Sequence, residues 1–159
     1  MRYIDDDIKN RILDLLPRYP NKQAVTLPAL HLVQDRYRCV PTDAIRDIAD
    51  LLDLAPAEVL DTMTFYMFFR DEKKPLGKTR LWVCRSLACQ LRGSDELTEH
   101  LCEKLGVGVG DTTADGKITL ETAECIGACE GAPALLVDDE HEMCVTLDMA
   151  DRLVQRLRG

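Results

Sequence analysis

Four cysteines in two close pairs, Cys84-Arg-Ser-Leu-Ala-Cys89 and Cys125-Ile-Gly-Ala-Cys129, stand 35 residues apart in this 159-residue chain. Any fold that uses them together must bring two distant loops to one place. Four thiolates from two loops are what a [2Fe-2S] cluster requires. Structural zinc is the chemical rival, and usually takes tighter C-x2-C knuckles, although spacings of two to four residues occur. The gaps of four and three residues here suit a two-iron centre, in which each pair holds one iron; zinc and metal-free thiols stay open on spacing alone. A thioredoxin-type dithiol would need C-x-x-C, which is absent.

The chain is long enough to bury a real core or to form two small domains. Its 20 Lys and Arg against 28 Asp and Glu give a formal charge of −8. Phosphate binding needs a basic footprint, so this balance argues against nucleic acid. The acidity lies mainly in the cysteine half: residues 1–75 hold 11 basic and 13 acidic side chains, residues 76–159 hold 9 and 15. Acids follow Met1-Arg-Tyr-Ile where a secretory signal would be apolar, and no segment approaches the roughly 20 apolar residues that span a bilayer. The expectation is a cytoplasmic protein, at most peripheral to a membrane complex. Seven cysteines in that setting imply reduced thiols and metal ligation rather than disulfides.

The first half reads as helical. Ile4, Ile8, Ile12 and Leu15 recur at helical spacing beside Asp5-Asp6-Asp7, which suits a helix N-terminus, and Pro17 and Pro20 end the run. A second stretch from Thr26 carries Leu30, Leu32, Val33 and Tyr37. Thr42 is an N-cap candidate for a third helix with Ile45, Ile48, Ala49 and Leu52 inward. Pro56 opens a fourth, with Val59, Leu60, Met63, Phe65, Tyr66 and Phe69. Four short helices imply a small bundle. At helical spacing Phe65, Phe68 and Phe69 share a face, which is bundle core or, in the functional alternative, a docking surface.

Asp71 to Lys78 is charged, holds Pro75 and Gly77 and lacks an apolar period, so it reads as a linker between domains 1–75 and 76–159. Beyond it, Thr79–Val83 reads as a strand entering Cys84, Asp95–Leu105 as a helix stopped by Gly106, and Ile118–Leu120 as a strand running toward Cys125. Pro133–Val137 and Met143–Thr146 read as two more strands around an acidic turn, Asp138 to Glu142, and a helix from about Asp148 closes the chain. The class is α+β: an N-terminal helical bundle followed by an α/β domain with a mixed sheet.

Glycines 93, 127 and 131 lie in or beside the cysteine loops, where they let N–H groups turn toward sulfur. Arg85 and Arg92 sit beside the first pair and would raise a cluster's potential, whereas Glu124 and Glu130 flank the second and would lower it. Cys39, Cys102 and Cys144 read as small buried hydrophobes, with Cys144 facing inward on its strand. His31, His100 and His141 form no ligand spacing and read as surface or interface residues. No nucleotide loop, Ser-His-Asp set or paired-carboxylate pattern appears, and the glycines before Asp115-Gly116-Lys117 are wrong for a phosphate loop.

With these residues in view, the chain resembles the thioredoxin-like [2Fe-2S] ferredoxin family, and within it the small flavoprotein subunits of NADH-quinone oxidoreductase. Leu27–Gln34, Pro56–Val59 and Thr64–Tyr66 are similar to the family's helical part. Val83–Cys89, Thr113–Lys117 and above all Glu124-Cys-Ile-Gly-Ala-Cys-Glu-Gly-Ala-Pro133 are similar to its cluster domain. The resemblance implies a thioredoxin-like sheet with Cys84, Cys89, Cys125 and Cys129 as the four ligands of one [2Fe-2S] cluster. It further implies a partner flavoprotein subunit that holds FMN and the NADH site, an electron exchanged between cluster and flavin, and no catalysis by this chain alone. A free-standing ferredoxin is the alternative, and similar subunits serve NAD-linked hydrogenases and formate dehydrogenases. Two places depart from the family: it usually has glycine near Arg38, and an aromatic-rich segment where this chain has His141-Glu-Met-Cys-Val145.

Overall fold

Asp5 closes the first turn of helix α1 (Asp6–Leu15), its Oδ1 accepting from the Ile8 N–H at 2.9 Å. A side-chain oxygen there satisfies one of the donors a helix start leaves unpaired. The computed structural model describes residues 2–159, which divide into two compact units, the first ending at Pro75 and the second running Leu76–Gly159.

In the first unit, α1, α2 (Thr26–Tyr37), α3 (Thr42–Leu52) and α4 (Pro56–Phe65) surround a core that includes Ile8, Ile12, Leu30, Ile48, Leu52 and Val59. Pro41, not Thr42, takes the N-cap position of α3; Thr42 is its first residue and donates from Oγ1 to Glu72 at 3.2 Å. Arg38 ends α2 in the left-handed conformation, φ 60°, a backbone geometry that favours glycine.

The aromatic run does not continue α4. The helix stops at Phe65, leaving Phe65 and Met67 79% and 94% exposed, and only Phe69 turns into the core. The reason lies across the bundle at Gln34, which is fully buried. Its Oε1 accepts from the Arg70 N–H at 2.7 Å, its Nε2 donates to the Phe68 carbonyl at 3.1 Å, and the Val40 N–H donates to the Arg70 carbonyl. A buried amide without partners is costly, and here the chain turns at Met67-Phe68, the Phe69 N–H donating to the Tyr66 carbonyl, so that the 68–70 backbone supplies them in place of another helical turn.

The second unit has a four-stranded mixed sheet in the order β2-β1-β3-β4. Strands β1 (Thr79–Cys84) and β2 (Ile118–Ala123) are parallel; β3 (Leu135–Val137) is antiparallel to β1, and β4 (Glu140–Glu142) to β3. The alternate positions Leu81, Val83, Ile118, Leu120 and Leu135 bury one sheet face against α6 (Ser94–Leu105) and α7 (Leu147–Arg158). Those helices supply Leu97, Leu101, Leu105, Ala150, Leu153 and Val154. Across the helix pair, Asp151 accepts from His100 Nε2 at 2.7 Å and Lys104 Nζ at 2.9 Å.

Three features of this unit differ from the sequence reading. A short helix, α5 (Leu87–Leu91), lies inside the first cysteine loop, too brief to display an apolar period. The last strand is Glu140–Glu142 rather than Met143–Thr146, and the turn shrinks to Asp138-Asp139. Charged residues are tolerated there because β4 is an edge strand open to water. Met143–Val145 instead leaves the sheet to bond the loop beside it, Cys144 N–H donating to the Gly131 carbonyl at 2.6 Å and Val145 N–H to that of Pro133 at 3.0 Å. Cys144 is therefore exposed, at φ 54°, and not an inward strand residue.

Candidate metal centre

Parallel pairing of β1 with β2 sets Cys84 opposite Ala123, two residues before Cys125. The register alone thus carries the two cysteine loops to the same end of the sheet. Arg85 N–H continues the pairing by donating to the Ala123 carbonyl at 2.9 Å. From Ser86 the chain coils into α5, which brings Cys89 back beside Cys84. Both are almost completely buried, in a layer of small residues formed by Ala128, Ala132 and Ala134. Cys125 and Cys129 are exposed, and Cys129 opens a 3-10 turn to Gly131.

The thiols are close enough to influence one another. Burial pushes the Cys89 thiol above the ordinary cysteine range, its hydrogen bond with Cys84 adds to this, and an N–H from Ala134 opposes it. The Cys129 thiol is raised first by the charge of Cys125, with which it also shares a hydrogen bond, and more weakly by Cys84. The contacts are thus in two pairs, 84 with 89 and 125 with 129, linked across by weaker charge effects. Among the described residues no three or more His, Cys, Asp or Glu side chains converge to hold a metal ion. Deprotonated together, the four thiols at this end of the sheet would repel one another, and an electropositive core held among them would offset that repulsion.

Donors to sulfur are in place for such a core. Gly127, at φ 75°, directs its N–H toward Cys125 Sγ at 3.4 Å. A side chain at Gly131 would meet Met143, the added carbon falling 2.4 Å from Met143 Cβ, so the loop can close only around glycine. Donor number, small-residue packing and N–H donors together fit a two-iron, four-thiolate group.

Charge around the centre is arranged differently from a simple count along the sequence. Arg85, next to Cys84, and Glu124, next to Cys125, pair directly, Arg85 Nε donating to Glu124 Oε1 at 3.0 Å. Glu124 in turn holds the Arg85 guanidinium above its usual range, and Arg85 holds the Glu124 carboxyl below its own.

The remaining candidates lie elsewhere. Cys39 is buried in the first unit, where burial followed by Glu72 and Asp71 raises its thiol; Cys102 is half-buried on α6. His31 packs on Phe68 and Phe69. His141, read from the sequence only as a surface or interface residue, bonds the carbonyl of Ile126 inside the second cysteine loop at 2.8 Å. Nothing in the spacing of the cysteines points to that contact.

Compared with known proteins, residues 12–158 match the thioredoxin-like [2Fe-2S] ferredoxin family. The chain belongs to this family. Among similar members of known name is NADH-quinone oxidoreductase subunit 2 of Thermus thermophilus, 35% identical over 157 residues, covering 97% of this chain and 86% of the relative. An NADH-quinone oxidoreductase subunit of the E type from Rhizobium meliloti (strain 1021) is 36% identical over 142 residues, covering 89% and 83%. This ferredoxin also shares its fold with part of an NAD+-reducing [NiFe]-hydrogenase solved in the air-oxidized state, with a TM-score of 0.73 at 23% identity, over 84% of this chain and 22% of that one. No helix of this thioredoxin-like ferredoxin, among the described residues, is long and apolar enough to cross a membrane.

Proposed function

We propose that this chain is the electron-transfer component of an NADH-quinone oxidoreductase-type complex, that Cys84, Cys89, Cys125 and Cys129 hold one [2Fe-2S] cluster, and that the chain catalyses nothing alone. The observation that carries the reading is the meeting of two thiol pairs at one end of the sheet, in a chain whose relatives are named as subunits of that enzyme. Bound there, the cluster supplies one-electron chemistry. The protein's own part is to hold and shield it. Cys84 and Cys89 would anchor it in the buried alanine layer, and Cys125 and Cys129, which are exposed, would leave it one open side toward a partner's flavin. The partner is a flavoprotein subunit that binds FMN and NADH. Phe65 and Met67, exposed on the first unit, are suited to docking because large apolar side chains are favoured in interface cores.

Anaerobic purification and EPR of the dithionite-reduced protein test the cluster: a [2Fe-2S] signal is expected, and stoichiometric zinc without that signal overturns the assignment. Co-purification from the native source tests the subunit role. A solitary monomer with an intact cluster and no flavoprotein would point instead to a free-standing ferredoxin.

A further inference from the structure

Edge strand β4 sets His141 opposite Leu136, and its Nε2 lies 2.8 Å from the Ile126 carbonyl oxygen. A carbonyl only accepts, so Nε2 carries the proton and donates it. The carbonyl of Ile126 and the N–H of Gly127 belong to one peptide group. That same N–H is the one aimed at Cys125 Sγ, at 3.4 Å. The three groups therefore form a chain: imidazole N–H to carbonyl, and, through the same planar amide, N–H to sulfur.

We propose that His141 is a positioning residue that orients and polarises the Ile126–Gly127 peptide toward the Cys125 sulfur, and through it raises the reduction potential of the centre. The planar amide makes the effect directional, because turning the carbonyl away from His141 turns the N–H away from sulfur. Hydrogen bonds in series also strengthen one another, so donation to the carbonyl makes the N–H a better donor. A bond to a ligand sulfur favours the more negative, reduced state and so raises the potential. Gly127 needs such an external hold. Its left-handed φ of 75° is readily reached by glycine but not enforced by it, and no helix or strand includes residues 124–128. His141 provides it from a strand that belongs to the sheet.

The proposal rests on the cluster reading above for its effect on potential, but not for its geometry, and the experiment separates the two. His141→Leu and His141→Gln are made in the whole chain, where the exposed position lets both fold, as circular dichroism verifies. In the metal-free reduced protein, the Gly127 amide proton resonance is expected to shift upfield in His141→Leu and to remain near its wild-type position in His141→Gln, whose amide can still donate. In the reconstituted protein, a redox titration is expected to give a lower midpoint for His141→Leu, restored largely by His141→Gln. A changed Gly127 resonance in a chain that assembles no cluster would refute the cluster reading and leave the peptide's positioning standing. An unchanged Gly127 resonance, or an unchanged midpoint in a protein with an intact cluster, would overturn the role given to His141.

Discussion

Arg85 and Glu124, each the neighbour of a cysteine in a different pair, are joined across the two loops by an ion pair, with Arg85 Nε 3.0 Å from Glu124 Oε1. Both are exposed, so water and salt weaken the pair and its part in folding is small. Its electrostatic consequence for the centre is larger, because two opposite charges beside it cancel at a distance.

Replacing either partner uncovers the other. Arg85→Gln leaves Glu124 uncompensated and should lower the midpoint potential, whereas Glu124→Gln should raise it. The double variant should return close to wild type. Redox titration at low ionic strength checks all three, and equal shifts of one sign in both single variants would refute the cancellation.

The proposed ligand set makes a sharp distinction between cysteines. Cys125→Ala should abolish or severely destabilise the cluster, while Cys102→Ala, on the half-buried face of α6, should leave its visible spectrum intact. Equal loss in both would mean the wrong thiols had been assigned.

Gly131→Ala should destabilise the second unit by about 1–3 kcal/mol, the usual cost of forcing atoms into filled space. The added carbon would lie 2.4 Å from Met143 Cβ and 2.6 Å from its Sδ. Met143→Gly made together with Gly131→Ala should recover part of the loss in a denaturant melt. A single variant as stable as wild type would contradict the packing described.

Asp151 makes a pH-dependent contribution. Lys104, and after it His100, hold its carboxyl below the ordinary aspartate range. A depressed carboxyl pKa stabilises the folded state above the unfolded value of about 3.9 and ceases to do so as pH falls through the folded one. Asp151→Asn should therefore melt below wild type near neutral pH, and the gap should close as the pH drops under about 4. Melting curves that stay equally separated down to about pH 3 would exclude this linkage.

Phe65→Ser with Met67→Ser tests the docking role. At 79% and 94% exposure these side chains contribute little to the chain's own core, so the melting temperature should barely move. Association with the flavoprotein partner, followed by sedimentation of the mixed subunits, should weaken. Undiminished association would remove this segment from the interface.

The helices of the first unit are legible because their apolar residues repeat at helical spacing, and Ile8, Ile12, Ile48 and Leu52 are indeed buried. The end of α4 is not. Nothing local stops a helix within Thr64–Phe69; the stop comes from Gln34, some thirty residues earlier, whose buried amide takes its partners from the 68–70 backbone. Strand β4 is hidden for the converse reason. Its Glu-His-Glu pattern reads as a turn, and becomes a strand only because β3 offers an open edge that charged residues can occupy.

By itself, the sequence determined the two chemistries of this protein: a helical half built on a 3.6-residue period, and a half carrying four cysteines in two close pairs amid glycines. Which groups act on those cysteines was decided by tertiary structure alone. The parallel register of β1 and β2 closes the 35-residue gap, the ion pair of Arg85 with Glu124 offsets charges that look separate in the chain, and β4 brings His141 to the Ile126 carbonyl. Periodicity and spacing are local properties that a chain displays before it folds. Register, charge pairing and a hydrogen bond across 15 residues depend on which surfaces the core brings together, and no residue announces them in isolation.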